Sequence, residues 1–150
     1  MLDFNRSTSN INKEMGEVRV KVKLINAVDE TLVSRGLLNP NQLRVIETEA
    51  LVDTGAVKMV LPMTIVQELG LRIRGQQTAQ YADGREEEVG LTEALIIEIQ
   101  GRETIEAALI TGNEILIGQT VLETLDLLVD CKNQRLIPNP KHPNYPVFRI

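Results

Sequence analysis

Apolar residues occur in short runs along this chain, and turn-forming residues separate the runs at intervals of about ten positions. The first run is the clearest, because valine or leucine alternates with arginine or lysine from Val18 to Leu24. A period of two is typical of a strand that buries one face and exposes the other to water. Many short strands of this kind predict an all-β fold, closed into a barrel that carries one or two short helices.

Both predicted helices have sequence signals at their ends. Pro62 suits the first turn of a helix and Gly70 suits a helix end, so the first helix lies between them. The second helix is predicted after Gly118 and extends to about Leu125. Each is short enough to pack on a sheet without forming a layer of its own.

Extended segments account for most of the remaining chain. Residues 71–81 and 86–99 are predicted to be the arms of a projecting hairpin, because residues 82–85 contain the Asp-Gly pair of a hairpin tip. Residues 57–61 are predicted to be another strand. Residues 26–41 mix apolar residues with turn formers, so we expect an excursion between strands there.

Three regions are predicted along the chain. Residues 1–16 are polar and show no period, which is typical of a flexible leader. Residues 17–138 contain the strands and helices of one globular domain. Residues 139–150 are proline-rich and are expected to form an extended tail.

Charge and composition narrow the classes of partner. The chain carries 21 acidic and 16 basic residues, a formal net charge of -5, and no basic stripe that could neutralise successive phosphates. No apolar run approaches the ~20 residues of a membrane helix. We therefore expect neither nucleic acid nor membrane as a partner. Cys131 is the single cysteine, so a reducing, cytoplasmic location is predicted, with Cys131 itself buried as a small apolar residue.

The sequence Asp53-Thr54-Gly55 contains a candidate catalytic carboxylate, that of Asp53. An apolar strand at residues 50–52 leads into it, and Ala56 follows. Asp before Gly often only caps the backbone of a turn, and that interpretation is open for Asp53. The wider order is more specific, because a strand, a proline-started helix, a hairpin and the apolar triplet before Gly118 follow in turn. Over residues 17–138 this order resembles the retropepsin-like aspartic proteases.

The resemblance implies a closed retropepsin-like barrel and an aspartic endopeptidase that uses no metal or organic cofactor. Such an enzyme needs two carboxylates around one water, yet the sequence contains one Asp-Thr-Gly. The resemblance therefore implies a homodimer in which Asp53 of each copy meets the other on a two-fold axis. Thr54 of each copy would hydrogen-bond across the axis and hold the two Asp53 loops together. Gly55 would let the backbone approach the carboxylates and the substrate. The substrate would be a peptide or protein; the alternative is a noncatalytic or latent peptide-binding module on the same fold.

The resemblance also assigns a flap and a second loop. The flap is the predicted hairpin, whose tip would contact substrate through Tyr81, Ala82, Asp83, Gly84 and Arg85. The second loop contains Ile117 and Gly118. For Tyr81, substrate contact and packing on the barrel are equally favoured. Glu86, Glu87 and Glu88 are expected to form only a solvated edge.

Two positions depart from the retroviral pattern, and two neighbouring positions bear on pH dependence and specificity. Val57 and Gln119 stand where retroviral members carry an acidic residue and its arginine partner, so cellular or bacterial-type members are the closer likeness. Ala56 stands where some relatives have serine; without that hydroxyl on the carboxylate, activity is expected at mildly acidic to near-neutral pH. Lys58 would favour acidic substrates if it faced the cleft, although a solvent-facing lysine is the commoner case.

The tail has three interpretations. Its apolar end, with Val147, Phe148 and Ile150, would form a strand of a dimer sheet, remain disordered, or dock in a partner's cleft, in that order of preference. His142 lies in the same tail without a second ligand at metal spacing, so no metal site is predicted.

Overall fold

Strands dominate the computed structural model, which describes residues 16–150. The strands of this part of the chain are β1 (Val18–Ile25), β2 (Val45–Val52), β3 (Val60–Leu61), β4 (Ile73–Gln80), β5 (Glu86–Thr92), β6 (Leu95–Ile99), β7 (Arg102–Glu106), β8 (Leu109–Ile110), β9 (Leu116–Ile117), β10 (Leu127–Asp130) and β11 (Arg135–Pro138). Its helices are α1 (Ala27–Ser34), a 3-10 turn (Pro40–Gln42), α2 (Met63–Leu69) and α3 (Gln119–Leu125). Residues 1–15 of the predicted leader lie outside the described residues.

Nine of these strands form one sheet in the order β4-β5-β8-β3-β9-β2-β1-β6-β7. Most neighbours are antiparallel, but β2 pairs parallel with β9 and β3 pairs parallel with β8. β10 and β11 form a separate antiparallel hairpin. The prediction of a mainly β fold is confirmed. The closed barrel is not confirmed, because within residues 16–150 the order of hydrogen-bonded strands is linear and ends at β4 and β7.

The core lies between the sheet and two helices. β1 alternates as predicted and buries Val18, Val20, Val22 and Leu24. α2 and α3 each bury an apolar face in the same hydrophobic core as β1, through Val66 and Leu69 of α2 and Val121, Leu122 and Leu125 of α3. Burying each valine or leucine completely contributes about 1.5–3 kcal/mol to the stability of the fold, so these side chains hold the helices on the sheet. No described helix has the length and apolar character to cross a membrane.

α1 is a helix that the sequence analysis missed, and the prediction of one or two helices was wrong. Asn26 caps it by accepting a hydrogen bond from the Asp29 backbone N–H at 2.9 Å. Only Asp29 is buried along the helix, and Val28 is exposed. The helix therefore has no apolar stripe, which is the signal that periodicity detects.

Polar contacts hold α1 against α2 and the start of β2. The Asn26 side chain donates to the Leu69 carbonyl at 2.8 Å, and Arg44 donates to the Asp29 carboxylate from Nε at 2.8 Å and Nη2 at 2.9 Å. These Arg44 hydrogen bonds lower the pKa of Asp29. Gly70, at φ +66°, ends α2 so close to Arg44 that a Cβ would overlap the guanidinium group.

Three further predictions were wrong in detail. The strand predicted at residues 57–61 is reduced to β3, because the preceding residues pack against another loop. The arm predicted at residues 86–99 is two strands: β5 pairs with β4, whereas β6 pairs with β1. Cys131 is exposed, since it lies in the turn between β10 and β11.

The tail is attached to the domain. The buried Arg102 donates to the carbonyl oxygens of Leu125 and Asp126 at 2.9 and 3.0 Å, and to that of His142 at 2.7 Å. The Asp126 carboxylate contacts His142 Nδ1 at 2.6 Å and accepts from the Val147 backbone N–H at 3.1 Å. Residues 139–150 form no strand within the described chain.

Candidate active site

The loop that carries Asp53 starts where β2 ends beside β9. Leu51 and Val52 pair in parallel with Leu116 and Ile117, and the Asp53 backbone N–H donates to the Ile117 carbonyl at 2.9 Å. The carboxyl ends of parallel neighbours meet at the same edge of a sheet. The loop after β2 and the second loop, which contains Gly118, therefore lie side by side.

Asp53 stabilises the turn that follows β2 by accepting two backbone hydrogen bonds. Its Oδ1 accepts from the Gly55 backbone N–H at 3.0 Å, and its carbonyl accepts from the Ala56 N–H at 3.1 Å. Its Oδ2 accepts no hydrogen bond from the described residues. A Cβ on Gly55 would lie 3.2 Å from Oδ1, so glycine lets the backbone approach the carboxylate. Asp53 thus caps its turn and still has one carboxylate oxygen for another partner.

Gly118 lets the two loops touch. A Cβ there would lie 2.6 Å from the Lys58 carbonyl oxygen and 2.8 Å from those of Ala56 and Val57. Gly118 has φ -93°, which any residue adopts, so glycine is needed here for space and not for backbone freedom.

Gln119 braces the Asp53 loop, a role that the sequence did not reveal. Its backbone N–H donates to the Ala56 carbonyl at 2.9 Å, and its side-chain amide donates to the Thr54 carbonyl at 2.6 Å. From the sequence, this position stands out only as one half of an absent ion pair. The position directly after Gly118 was the available signal, because a residue there must face the neighbouring loop.

Thr120 and Glu106 form further hydrogen bonds to the same loop. The Thr120 hydroxyl is 3.1 Å from the Val57 carbonyl and 2.9 Å from Glu106 Oε1. Glu106 Oε2 accepts from the Met59 backbone N–H at 3.3 Å. Val57 contributes only backbone contacts here, and its side chain is exposed. Neutral and charge-assisted hydrogen bonds therefore join residues 57–59 to Glu106 and Thr120.

The predicted flap is a hairpin at the edge of the sheet. Tyr81 N–H donates to the Arg85 carbonyl at 2.8 Å, Gly84 N–H donates to the Tyr81 carbonyl at 2.9 Å, and Gly84 has φ +86°. This three-residue tip matches the glycine-containing turn that the sequence predicts. Ala82, Asp83 and Arg85 are exposed. No hydrogen bond of the described residues joins the tip to the Asp53 loop, from which β8, β3 and β9 separate the flap strand β5.

The remaining candidates lie apart from this arrangement. Lys58 is half-buried and forms no ion pair with the described residues. Within residues 16–150, no cluster of three His, Cys, Asp or Glu side chains could hold a metal ion. His142 contacts Asp126 at the end of α3, on the tail attachment described above.

A comparison with protein families identifies the chain. Residues 42–129 match the family described as "gag-polyprotein putative aspartyl protease". The chain belongs to this family. The match extends from before β2 into β10 and includes both the Asp53 loop and the second loop. The predicted retropepsin-like membership is thereby confirmed, while the finer assignment to a cellular or bacterial-type branch stays a prediction.

One solved structure similar to this chain is EIAV protease complexed with the inhibitor HBY-793. It is 25% identical, with a TM-score of 0.44, over 51% of this chain and 75% of that chain. No curated protein sequence matches the chain.

Proposed function

We propose that this protein is a homodimeric aspartic endopeptidase in which Asp53 of each subunit supplies one of two catalytic carboxylates. The observation that carries the proposal is the pairing of the Asp53 loop with the Gly118 loop, inside the region that matches the aspartyl protease family. Each chain contains one Asp-Thr-Gly. A two-fold axis brings one residue next to its own copy, so a second subunit completes the pair.

The chemistry follows from two adjacent carboxylates. The aspartic-protease dyad is itself the standard example of two carboxyl groups that share one proton, because like charges a few ångströms apart cannot both ionise. One Asp53 takes a proton from a water molecule, and its partner donates a proton to the scissile carbonyl oxygen. The water oxygen attacks the carbonyl carbon and forms a gem-diol, with no covalent bond to the protein. The titration belongs to the pair and not to either residue.

The surrounding residues keep this pair in position. Gln119 and Gly118 fix the Asp53 loop against the body of the domain. The Thr54 hydroxyl would bond across the dimer axis, and the tip from Tyr81 to Arg85 would cover the peptide and exclude water. We place the catalytic domain at residues 17–138 and the enzyme in the cytoplasm, acting on peptides or proteins at mildly acidic to near-neutral pH.

The second candidate is a noncatalytic or latent peptide-binding module on the same fold. The contact between Asp53 Oδ1 and the Gly55 N–H favours it, because that contact gives the aspartate a structural use independent of catalysis.

Asp53→Asn separates the two candidates. We expect the variant to lose peptide cleavage by roughly 10²- to 10⁴-fold, since asparagine cannot exchange the proton. Cleavage would be measured by mass spectrometry on a peptide mixture across a range of pH, with the oligomeric state checked by sedimentation. Asp130→Asn, on the distant β10 hairpin, is the matched control and should cleave like the wild type. Cleavage that survives in the Asp53 variant would overturn the catalytic role of Asp53, and cleavage that is absent from the wild type at every pH would favour the module.

A further inference from the structure

Three glutamates follow one another along the flap strand β5, and one of them differs from its neighbours. Glu86, Glu87 and Glu88 are all exposed. Of the three, only Glu87 accepts hydrogen bonds from side chains of the described residues: from the Tyr81 hydroxyl at 2.8 Å and from the Thr111 hydroxyl at 3.2 Å. Alternation along a strand explains the difference, because Glu87 faces the opposite side of the hairpin from the other two.

Tyr81 contacts Arg85 through its ring and Glu87 through its hydroxyl. The Arg85 guanidinium carbon lies 4.2 Å from the centre of the Tyr81 ring, within the range of a cation–π contact. The Arg85 backbone N–H in turn donates to Asp83 Oδ1 at 2.9 Å. The ring is therefore part of the internal structure of the flap tip, and its hydroxyl is the group that reaches Glu87.

Thr111 belongs to the body of the domain. It directly follows β8, and its backbone N–H donates to the carbonyl of the fully buried Leu61 at 3.1 Å. β8 also pairs with β5 farther down the flap, at Gly90 and Leu91. The Thr111 contact thus lies beyond the last backbone pairing of the flap with the body, and Glu87 continues that connection toward the tip.

We propose that Glu87 is a positioning residue that couples the flap tip to the body of the domain through Tyr81 and Thr111. The coupling favours one arrangement of the tip before a peptide binds. This inference rests on the proposed function where it concerns peptide binding; the coupling itself is a property of the folded chain. A tip that is already ordered loses less conformational entropy when a peptide binds. Loss of the contact should therefore weaken peptide binding more than it slows the chemical step.

Hydrogen exchange of the flap amides tests the coupling without any enzyme assay. In Glu87→Ala, the Tyr81 and Gly84 amides should exchange about three- to tenfold faster, the range for one lost hydrogen bond at an exposed site. Glu86→Ala and Glu88→Ala are matched controls, since each removes the same charge and side chain from the same strand. Glu87→Gln keeps an acceptor oxygen and should restore most of the protection. Thr111→Val should reproduce the effect, and combining it with Glu87→Ala should add little.

Two results would overturn the coupling: exchange in Glu87→Ala no faster than in the neighbouring variants, or wild-type exchange in Thr111→Val. Steady-state kinetics then tests its consequence. KM should rise about three- to tenfold in Glu87→Ala with kcat within about twofold, and Glu87→Gln should lie near the wild type. A fall in kcat at constant KM contradicts the positioning role. If the wild type cleaves nothing, the proposed function fails, and exchange alone decides the coupling.

Discussion

Replacing Gly118 by alanine tests the contact between the two loops. The added methyl carbon would lie 2.6 Å from one carbonyl oxygen and 2.8 Å from two others, all of them backbone atoms that no rotamer change can move. Ordinary contact begins at 3.4 Å, so the loops must separate by roughly 0.6–0.8 Å to admit it.

That separation weakens specific bonds. The Gln119 and Thr120 backbone N–H groups donate to Ala56 and Val57 at 2.9 and 3.0 Å, and both distances would pass beyond hydrogen-bonding range. Overpacking together with these losses should lower the free energy of unfolding by about 2–4 kcal/mol. For a chain of this size each kcal/mol lowers Tm by about 2–4 °C, so we expect a decrease of about 5–15 °C.

The assay is thermal and urea unfolding followed by circular dichroism at one protein concentration. Gly75→Ala is the matched control, because a Cβ at Gly75 in β4 meets no atom within 4 Å. It should be neutral or stabilise by up to about 1 kcal/mol, since alanine restricts the unfolded chain. Equal stability of the two variants would refute the close loop contact.

Two further predictions concern neighbouring contacts. Gln119→Ala should reduce peptide cleavage about tenfold, measured as kcat/KM, while changing the unfolding free energy by less than about 1.5 kcal/mol, because it removes one exposed hydrogen bond to Thr54; an unchanged kcat/KM would contradict the brace. Arg44→Met should destabilise the protein at pH 7 by about 1–3 kcal/mol, because it removes the guanidinium partner of the buried Asp29. Since Arg44 lowers the folded-state pKa of Asp29, the wild type gains stability above the unfolded pKa of about 3.9 and loses it as pH falls through that value toward the folded pKa. Urea unfolding between about pH 6 and pH 3 should therefore show a flatter profile for Arg44→Met, and parallel profiles would contradict the assignment.

Local signals predicted much of the fold. The alternation in β1, the proline and glycine around α2, and the Asp-Gly pair of the flap tip each depend on residues close together in sequence, and the structure has each where it was expected. Such signals work because strand period, helix caps and turn geometry are local properties of the backbone.

What the sequence did not predict depends on distant contacts. α1 forms through polar groups that meet Arg44 and Leu69, and it has no apolar face. The split between β5 and β6 occurs within a continuous extended run, and only the choice of partner strand separates them. Gln119 reaches Thr54 across 65 positions of sequence, so its role became readable only once the loops were placed together.

The site was predicted in the same uneven way. The family resemblance pointed to Asp53 and Gly118, and the structure places their loops side by side, while their roles in the site stay a prediction. Glu87 was grouped with its neighbours as a solvated edge, because three identical residues in sequence give no sign that one of them contacts Tyr81 and Thr111. Dimer formation stays a prediction.

The central claim is that each active site takes one Asp53 from each of two subunits, and subunit mixing tests it most directly. Wild-type protein at fixed concentration is combined with increasing Asp53→Asn protein, and a tag on the variant follows the exchange of subunits. Random pairing predicts that cleavage falls to about half at equal amounts and to about one tenth at a ninefold excess, because mixed dimers hold one carboxylate. Cleavage that stays constant as inactive subunits are added would show that one chain suffices, and would contradict the account.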